Sequence, residues 1–444
     1  MSRFLALVAG VAGAMMVSFD GTALLVAQPG LRRTLHASVA EVQWTSTAYL
    51  IAVASLLVLG GRLGDRFGHA RLLLIGAAGF GAVSVAIVLA PGIDGVIAGR
   101  AVQGLFGALL QPATLALLRL AYPPDRLSMP VAVRTSGIAV AGALGPVLGG
   151  ALVDRYGWSS VFLVNVPVAL LIVAAALSVR GVEQRDQPVR ARLHLLDAAL
   201  LATSLGLLVH TLTEGWNPPV TLVEPAVAAV LGALLVRRLR NSEDGLVPAA
   251  VARSRPVMAS MSLLLVIAAG LFGALFVAGL MLQEQLGLSA LAGGVQVLPL
   301  TVAMVVGAPL TGLALRRWDP RRTAVAGVVL VALGIAGLAV FGPVGAAAAV
   351  LGAGYAIVMV TATGTVVGDA PPAYAGVVGG LKQSAMNLGS ALGIAVAAAI
   401  LTAATAATAV WALAGFAVLA LAPAALLPGA RPRAGREIVT ADRR

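Results

Sequence analysis

The sequence predicts an all-α polytopic membrane protein with fourteen transmembrane helices, built as two six-helix halves with two helices inserted between them. Composition points there first. Of 444 residues 59% are hydrophobic and 11% are charged, and the mean hydropathy is +0.98, whereas soluble domains are roughly half apolar and a quarter charged. The apolar residues then recur in runs of the length that a hydrocarbon core about 30 Å thick requires. Inside such a core each backbone polar group must be satisfied within its own segment, so the runs are read as helices. Charge is the third observation: 24 of the 30 basic residues fall in alternate connections.

In chain order the predicted spans are 4–27, 45–60, 72–90, 93–118, 130–152, 160–179, 196–213, 221–236, 257–282, 291–314, 323–341, 343–367, 377–402 and 405–427. The first follows Arg3 and continues through Asp20 to Ala27, longer than the apolar core of a secretory signal, so it is read as a span. The second and eighth are short. Spans seven and eight lie between two charged stretches, 179–192 and 236–255. The domain division predicted from this is 1–179 for the first six-helix half, 180–256 for the linkers and inserted pair, 257–427 for the second half, and 428–444 for a polar cytoplasmic tail.

With the N-terminus inside, the cytoplasmic connections hold Arg62, Arg66 and Arg71, then Arg119 and Arg126, and similar clusters after spans six, eight, ten and fourteen. This positive-inside bias puts both termini in the cytoplasm of a cell whose plasma membrane the chain spans. It also accounts for the net charge of +12, so no nucleic-acid partner is called for. The chain has no cysteine, and His36, His69, His194 and His210 show no ligand spacing; no metal or other cofactor is expected. An enzyme would need acids and histidines converging at membrane depth, a constellation the sequence lacks.

The halves repeat. At one offset of 251, Gly61 aligns with Gly312, Arg66 with Arg317, Arg71 with Arg322 and Gly76 with Gly327, each copy joining the second and third spans of its half. Parallel six-span halves are a common plan for secondary transporters that alternate access around a midplane site.

The loop 60–71 reads GGRLGDRFGHAR. Its charge alone fits a loop that merely orients helices. Its spacing G-x-L-x-D-R-x-G, on Gly61, Leu63, Asp65, Arg66 and Gly68, resembles the loop signature of the major facilitator superfamily. The resemblance implies a cytoplasmic gate of Gly61, Asp65, Arg66 and Gly68, in which Asp65 meets the positive N-terminus of a helix in the second half. The second copy has Arg316 where Asp65 stands, so one half carries that latch.

In span four, Arg100 lies among apolar residues with Gln103 three positions on. A guanidinium at membrane depth either snorkels to the interface or faces a partner or wet cavity; the pattern R-x-x-Q-G resembles the superfamily motif associated with proton coupling. Span five contains Gly145, Pro146, Gly149 and Gly150. Small residues at this spacing let helices approach closely, and G-P-x-x-G-G resembles the signature of exporters that work as antiporters. Residues 42–52 and 158–171, together with Asp197 and the GW pair at 215–216, are similar to the fourteen-span drug:proton antiporter family. The resemblance covers nearly the whole chain and implies a major facilitator fold.

Asp20 has no compensating charge within ten residues on either side. An acid inside a span is a functional candidate, with a helix-to-helix hydrogen bond as the structural alternative. Burial favours its neutral form and a nearby guanidinium its charged form; the family resemblance assigns the residue to proton coupling, with Arg100 tuning it. Lys382 is the only lysine. It either snorkels or faces substrate, and Gln103, Lys382, Gln383 and Asn387 form the candidate substrate cavity. Met15, Met16, Met281, Met304, Met359 and Met386 offer adaptable apolar contact in or near spans.

The function expected is therefore proton-coupled export of amphipathic organic compounds, multidrug or antibiotic, by alternating access. The alternative is a dedicated exporter of one endogenous metabolite or lipid. Partners are a small organic substrate, protons and the bilayer, and the protein is expected to act as a monomer.

Overall fold

A computed structural model describes residues 2–123, 126, 128–179, 195–213, 218–241, 251, 253–340, 344–369 and 375–429. The first bundle contains α1 (Ser2–Thr34), α2 (Val39–Phe67), α3 (His69–Val88), α4 (Ile93–Ala121), α5 (Ser128–Tyr156), the short α6 (Ser160–Leu163) and α7 (Asn165–Val179). Next come α8 (Leu195–Thr213) and α9 (Pro218–Asn241). The second bundle contains α10 (Arg255–Leu280), α11 (Ala290–Ala314), α12 (Pro320–Ala339), α13 (Val344–Asp369), α14 (Ala375–Ala403), α15 (Ala406–Val418) and α16 (Leu421–Ala425).

The breaks have local causes. Pro167 lacks the N–H that the Leu163 carbonyl would need, and the sixth span divides there into α6 and α7. Pro423 does the same to the carbonyl of Leu419, and the last span divides into α15 and α16. After Leu280 the helix widens into a π turn, Met281–Gln285, closed by the Leu286 N–H donating to the Met281 carbonyl at 3.0 Å. At the start of α2, the Ser38 hydroxyl accepts from the Glu41 N–H and the Glu41 carboxylate from the Ser38 N–H, a capping box.

Among the described residues twelve helical stretches are long and apolar enough to cross a membrane, not the fourteen expected. The difference is the inserted pair. The apolar stretch of α8 ends at Thr211, about 26 Å of helix against a core of about 30 Å, and α9 carries Glu224, Pro225, Arg237 and Arg238. The pair is tied together by its charges: Arg238 donates to Asp197 at 2.7 Å and His210 pairs with Glu224 at 2.8 Å. α8 packs where α2 meets α14, burying Val209 with Ile51, Ala391 and Ala395. The GW pair, residues 180–194 and 242–250 of the charged stretches, and the tail from 430 onward lie outside the described residues.

Phe80, Leu110, Leu117 and Ile172 are buried at the centre of the first bundle. A second apolar cluster joins Ala23, Leu24 and Leu31 of α1 to Ala274 and Val277 of α10, so the bundles share a core. They meet along two seams, α5 with α11 and α2 with α14.

Three polar contacts gather at the end of the molecule where α1, α5 and α10 finish. Arg32 pairs with Glu284, and the Gln283 amide donates to the Val26 carbonyl at 2.9 Å. Asp154, in the last turn of α5, accepts from the Ala290 and Leu291 N–H groups at 2.9 and 3.0 Å. All three join the first bundle to the second and close this end.

Candidate functional site

Asp20 and Arg100 meet inside the first bundle. Arg100 Nη1 donates to Asp20 Oδ2 at 2.6 Å, and both side chains are 1% exposed. Five elements supply the surroundings. Arg100 Nε donates to the Thr45 carbonyl of α2 at 2.8 Å, and Nη1 also donates to Gln103 Oε1. The guanidinium lies over the Tyr49 ring at 4.3 Å and the Phe162 ring at 5.8 Å, favourable faces for a desolvated cation. Asp20 Oδ1 accepts from Asn165 Nδ2 at 2.9 Å, and Gln103 Nε2 donates to Ser84 Oγ at 2.8 Å.

Local sequence explains this convergence. The α6–α7 break puts Asn165 at the first position of α7, where its side chain reaches inward. Gly104 lets α4 approach α2 so closely that a Cβ there would stand 2.6 Å from the Tyr49 carbonyl, which brings the Tyr49 ring under Arg100. The charges are thus paired, hydrogen-bonded and closed off from solvent, the arrangement a buried ion pair needs to persist. Asn165, Ser84, Thr45 and Tyr49 are functional neighbours that sequence reading did not single out. The available signal was an amide inside the apolar run VFLVNVPVALL.

Gln103 belongs to this network and not with the other candidate cavity residues. Lys382 Nζ donates to Thr363 Oγ1 at 3.2 Å, and Gln383 Nε2 to Asn387 Oδ1 at 3.2 Å, all in the second bundle. Asn387 Nδ2 is buried and has no hydrogen-bond partner among the described residues.

The glycines of span five divide their work. A Cβ on Gly145 would stand 2.0 Å from Thr22 Oγ1, and one on Gly149 2.8 Å from Ala23 Cβ; these positions seat α5 on the turn of α1 just beyond Asp20. A Cβ on Gly150 would stand 2.6 Å from the Ala290 carbonyl, and one on Gly294 2.2 Å from the Pro146 carbonyl. The run Gly145, Pro146, Gly149, Gly150 therefore links the Asp20 helix on one side to the second bundle on the other.

At the opposite end of α2, Gly68 ends the helix at φ 94°, a conformation glycine adopts freely. Arg66 lies over the Phe67 ring at 5.2 Å. A Cβ on Gly61 would meet Pro112 at an ordinary 3.8 Å, whereas one on Gly60 would stand 2.2 Å from the Ala108 carbonyl, so Gly60 is where close packing demands glycine. The Asp65 side chain lies outside what the structure describes.

Two helical bundles meeting along paired seams follow the two-half plan common among secondary transporters. The family model for the Major Facilitator Superfamily matches residues 10–394, and the chain belongs to that superfamily. It is 38% identical over 400 residues to the tetracenomycin C resistance and export protein of Streptomyces glaucescens, covering 88% of this chain and 74% of that one. It is 32% identical over 405 residues to the probable actinorhodin transporter of Streptomyces coelicolor, covering 86% and 69%. To the multidrug efflux pump LfrA of Mycolicibacterium smegmatis it is 31% identical over 399 residues, covering 88% and 79%. Among solved structures, a POT family transporter in complex with a thioalcohol conjugated peptide superposes with a TM-score of 0.72 at 13% identity, covering 95% and 94%; that likeness concerns the fold.

Proposed function

We propose that the protein is a proton-coupled antiporter that exports amphipathic organic compounds by alternating access. Its relatives are named as antibiotic and multidrug resistance or export proteins, and the protein is a drug efflux transporter rather than an enzyme. The G-P-x-x-G-G run and the stretches 42–52 and 158–171 support a place among the drug:proton antiporters. The positive-inside bias supports cytoplasmic termini in the plasma membrane. The closed end is then extracellular, and the cytoplasmic side is where substrate enters. We divide the chain at 179, 256 and 427, and take it to work as a monomer in the bilayer, without metal or other cofactor.

The observation that carries proton coupling is the Asp20–Arg100 pair, sealed at 1% exposure and held by neutral groups on every other side. A proton taken up by Asp20 cancels one charge and leaves a buried guanidinium. Uncompensated, that costs about 3–5 kcal/mol. The Thr45 carbonyl, Gln103 and two ring faces recover part of it, so the cation stays while its carboxylate contact loosens. Moving a two-state equilibrium from 1:99 to 99:1 takes about 5.5 kcal/mol, so a change of this size is enough to bias which side is open. Gly145 and Gly149 carry the change from the Asp20 turn to α5, and Gly150 carries it to the seam with α11.

The test is uptake of a fluorescent cationic dye into everted vesicles. Accumulation when the lumen is acid, abolished by a protonophore, is the expected result; accumulation indifferent to the gradient overturns proton coupling. A dedicated exporter is the second reading, favoured by relatives named for single compounds. It predicts transport of one endogenous metabolite or lipid and no transport across a panel of unrelated dyes.

A further inference from the structure

The stretch GGRLGDRFG at the end of α2 has a second copy in its own half. At the end of α5 the sequence reads GGALVDRYG, with Gly60, Gly61, Leu63, Asp65, Arg66 and Gly68 matched by Gly149, Gly150, Leu152, Asp154, Arg155 and Gly157. The structure repeats with the letters. Both helices stop one residue before the last glycine. Gly68 stands at φ 94° and Gly157 at φ 80°. The N–H of each donates to the carbonyl four residues back at 2.8 Å. Arg66 lies over Phe67 at 5.2 Å and Arg155 over Tyr156 at 5.7 Å. Yet α2 and α5 run in opposite directions, so the copies face opposite sides of the membrane.

At the α5 copy the work of the aspartate is visible. Asp154 accepts from the Ala290 N–H at 2.9 Å and the Leu291 N–H at 3.0 Å, and Ser289 Oγ accepts from the Ala292 N–H at 3.2 Å. Three amides that α11 leaves without an internal partner are satisfied, two of them by the other bundle. The negative charge also meets the positive end of the α11 dipole. At the α2 copy the partner helix is α14: Ser384 Oγ donates to the Ala54 carbonyl at 3.0 Å, and Gly380 stands against Val58. Continued along two antiparallel helices, that register brings position 65 to a level just ahead of Ala375, where α14 begins.

We propose that Asp154 is the extracellular counterpart of the Asp65 gate: a positioning residue that holds the extracellular side shut by capping α11, released when Asp65 caps α14 and closes the cytoplasmic side. The two carboxylates form an alternating pair, each stabilising the state that the other opposes. This rests on the alternating-access reading, though not on Asp20 being the proton carrier.

The chain has no cysteine, so paired spin labels can be introduced directly. Labels at Tyr156 and Leu286, which are 64% and 50% exposed, report the extracellular end; labels at Met129 and Leu313, 69% and 55% exposed, report the other. Distances are measured by double electron–electron resonance in nanodiscs, without substrate or gradient. Wild type should be short at the first pair and long at the second. Asp154→Asn should shift the ratio of the two states about 2- to 5-fold toward an open extracellular end, the range for an exposed charge at a helix terminus. Asp65→Asn should shift it the other way, and the double variant should return close to wild type. Should Asp154→Asn not purify, Asp154→Ser, which keeps one acceptor oxygen, serves in its place. Unchanged distances in a folded Asp154 variant, or both single variants shifting the same way, would overturn the proposal. Because no gradient is applied, its failure leaves proton coupling through Asp20 standing, and the converse holds too.

Discussion

Asn165 donates from Nδ2 to Asp20 Oδ1 at 2.9 Å, on the side of the carboxylate away from Arg100. Its own helix begins at that residue because Pro167 interrupts the span. A hydrogen bond to a charged group contributes about 1.5–3 kcal/mol. Asn165→Ala leaves Oδ1 without a donor, so gradient-driven efflux should fall roughly 10- to 100-fold while substrate affinity changes much less. Parallel measurement of efflux rate and Kd checks this; equal losses in both would make Asn165 a general packing residue.

The span-five glycines give a paired prediction. Gly150→Ala would place a Cβ 2.6 Å from the Ala290 carbonyl, whereas Gly61→Ala meets Pro112 at 3.8 Å. Overpacking typically costs about 1–3 kcal/mol. Gly150→Ala should lower Tm and slow efflux, and Gly61→Ala should leave Tm near wild type. Thermal unfolding in detergent alongside vesicle efflux decides it.

Lys382 donates to Thr363 in the second bundle, and among the described residues it shares no hydrogen bond with the Asp20 network. Lys382→Met should therefore alter which substrates bind, changing their relative Kd, while substrate still drives proton release from the protein. Proton release is read with a pH dye in weakly buffered solution. Its loss in Lys382→Met with Asp20 intact would move proton coupling to the second bundle.

How much of this was legible follows from what each residue costs. A carboxylate and a guanidinium in apolar runs are expensive enough that Asp20 and Arg100 stand out in the letters alone. Asn165 and Ser84 are neutral and cheap; an amide inside an apolar run is a faint mark for Asn165, and only its distances reveal Ser84. Gly60, not Gly61, is the position where a Cβ collides; a run of two glycines does not say which one faces the neighbour. Asp154 was not singled out, because a charge at the end of a helix costs little and its partners are backbone amides that carry no side-chain mark. The inserted pair misled the span count because the apolar stretch of α8 is only about 26 Å long and α9 carries Glu224, Arg237 and Arg238. The closure at one end was not legible at all, since a transporter sequence must encode both of its states.

The central claim is that Asp20 carries the proton. Asp20→Asn keeps the size and hydrogen bonding of the side chain but cannot ionise, and it leaves Arg100 its Thr45, Gln103 and ring contacts. The direct measurement is substrate affinity by tryptophan quenching from about pH 5 to 9 in purified wild type and Asp20→Asn, together with gradient-driven uptake in everted vesicles. An antiporter carries proton and substrate alternately, so wild-type affinity should rise with pH, the Asp20→Asn profile should be flat, and its gradient-driven uptake should be lost while binding persists. An Asp20→Asn protein that keeps both the wild-type pH profile and proton-driven uptake would contradict the account and make the Asp20–Arg100 pair structural.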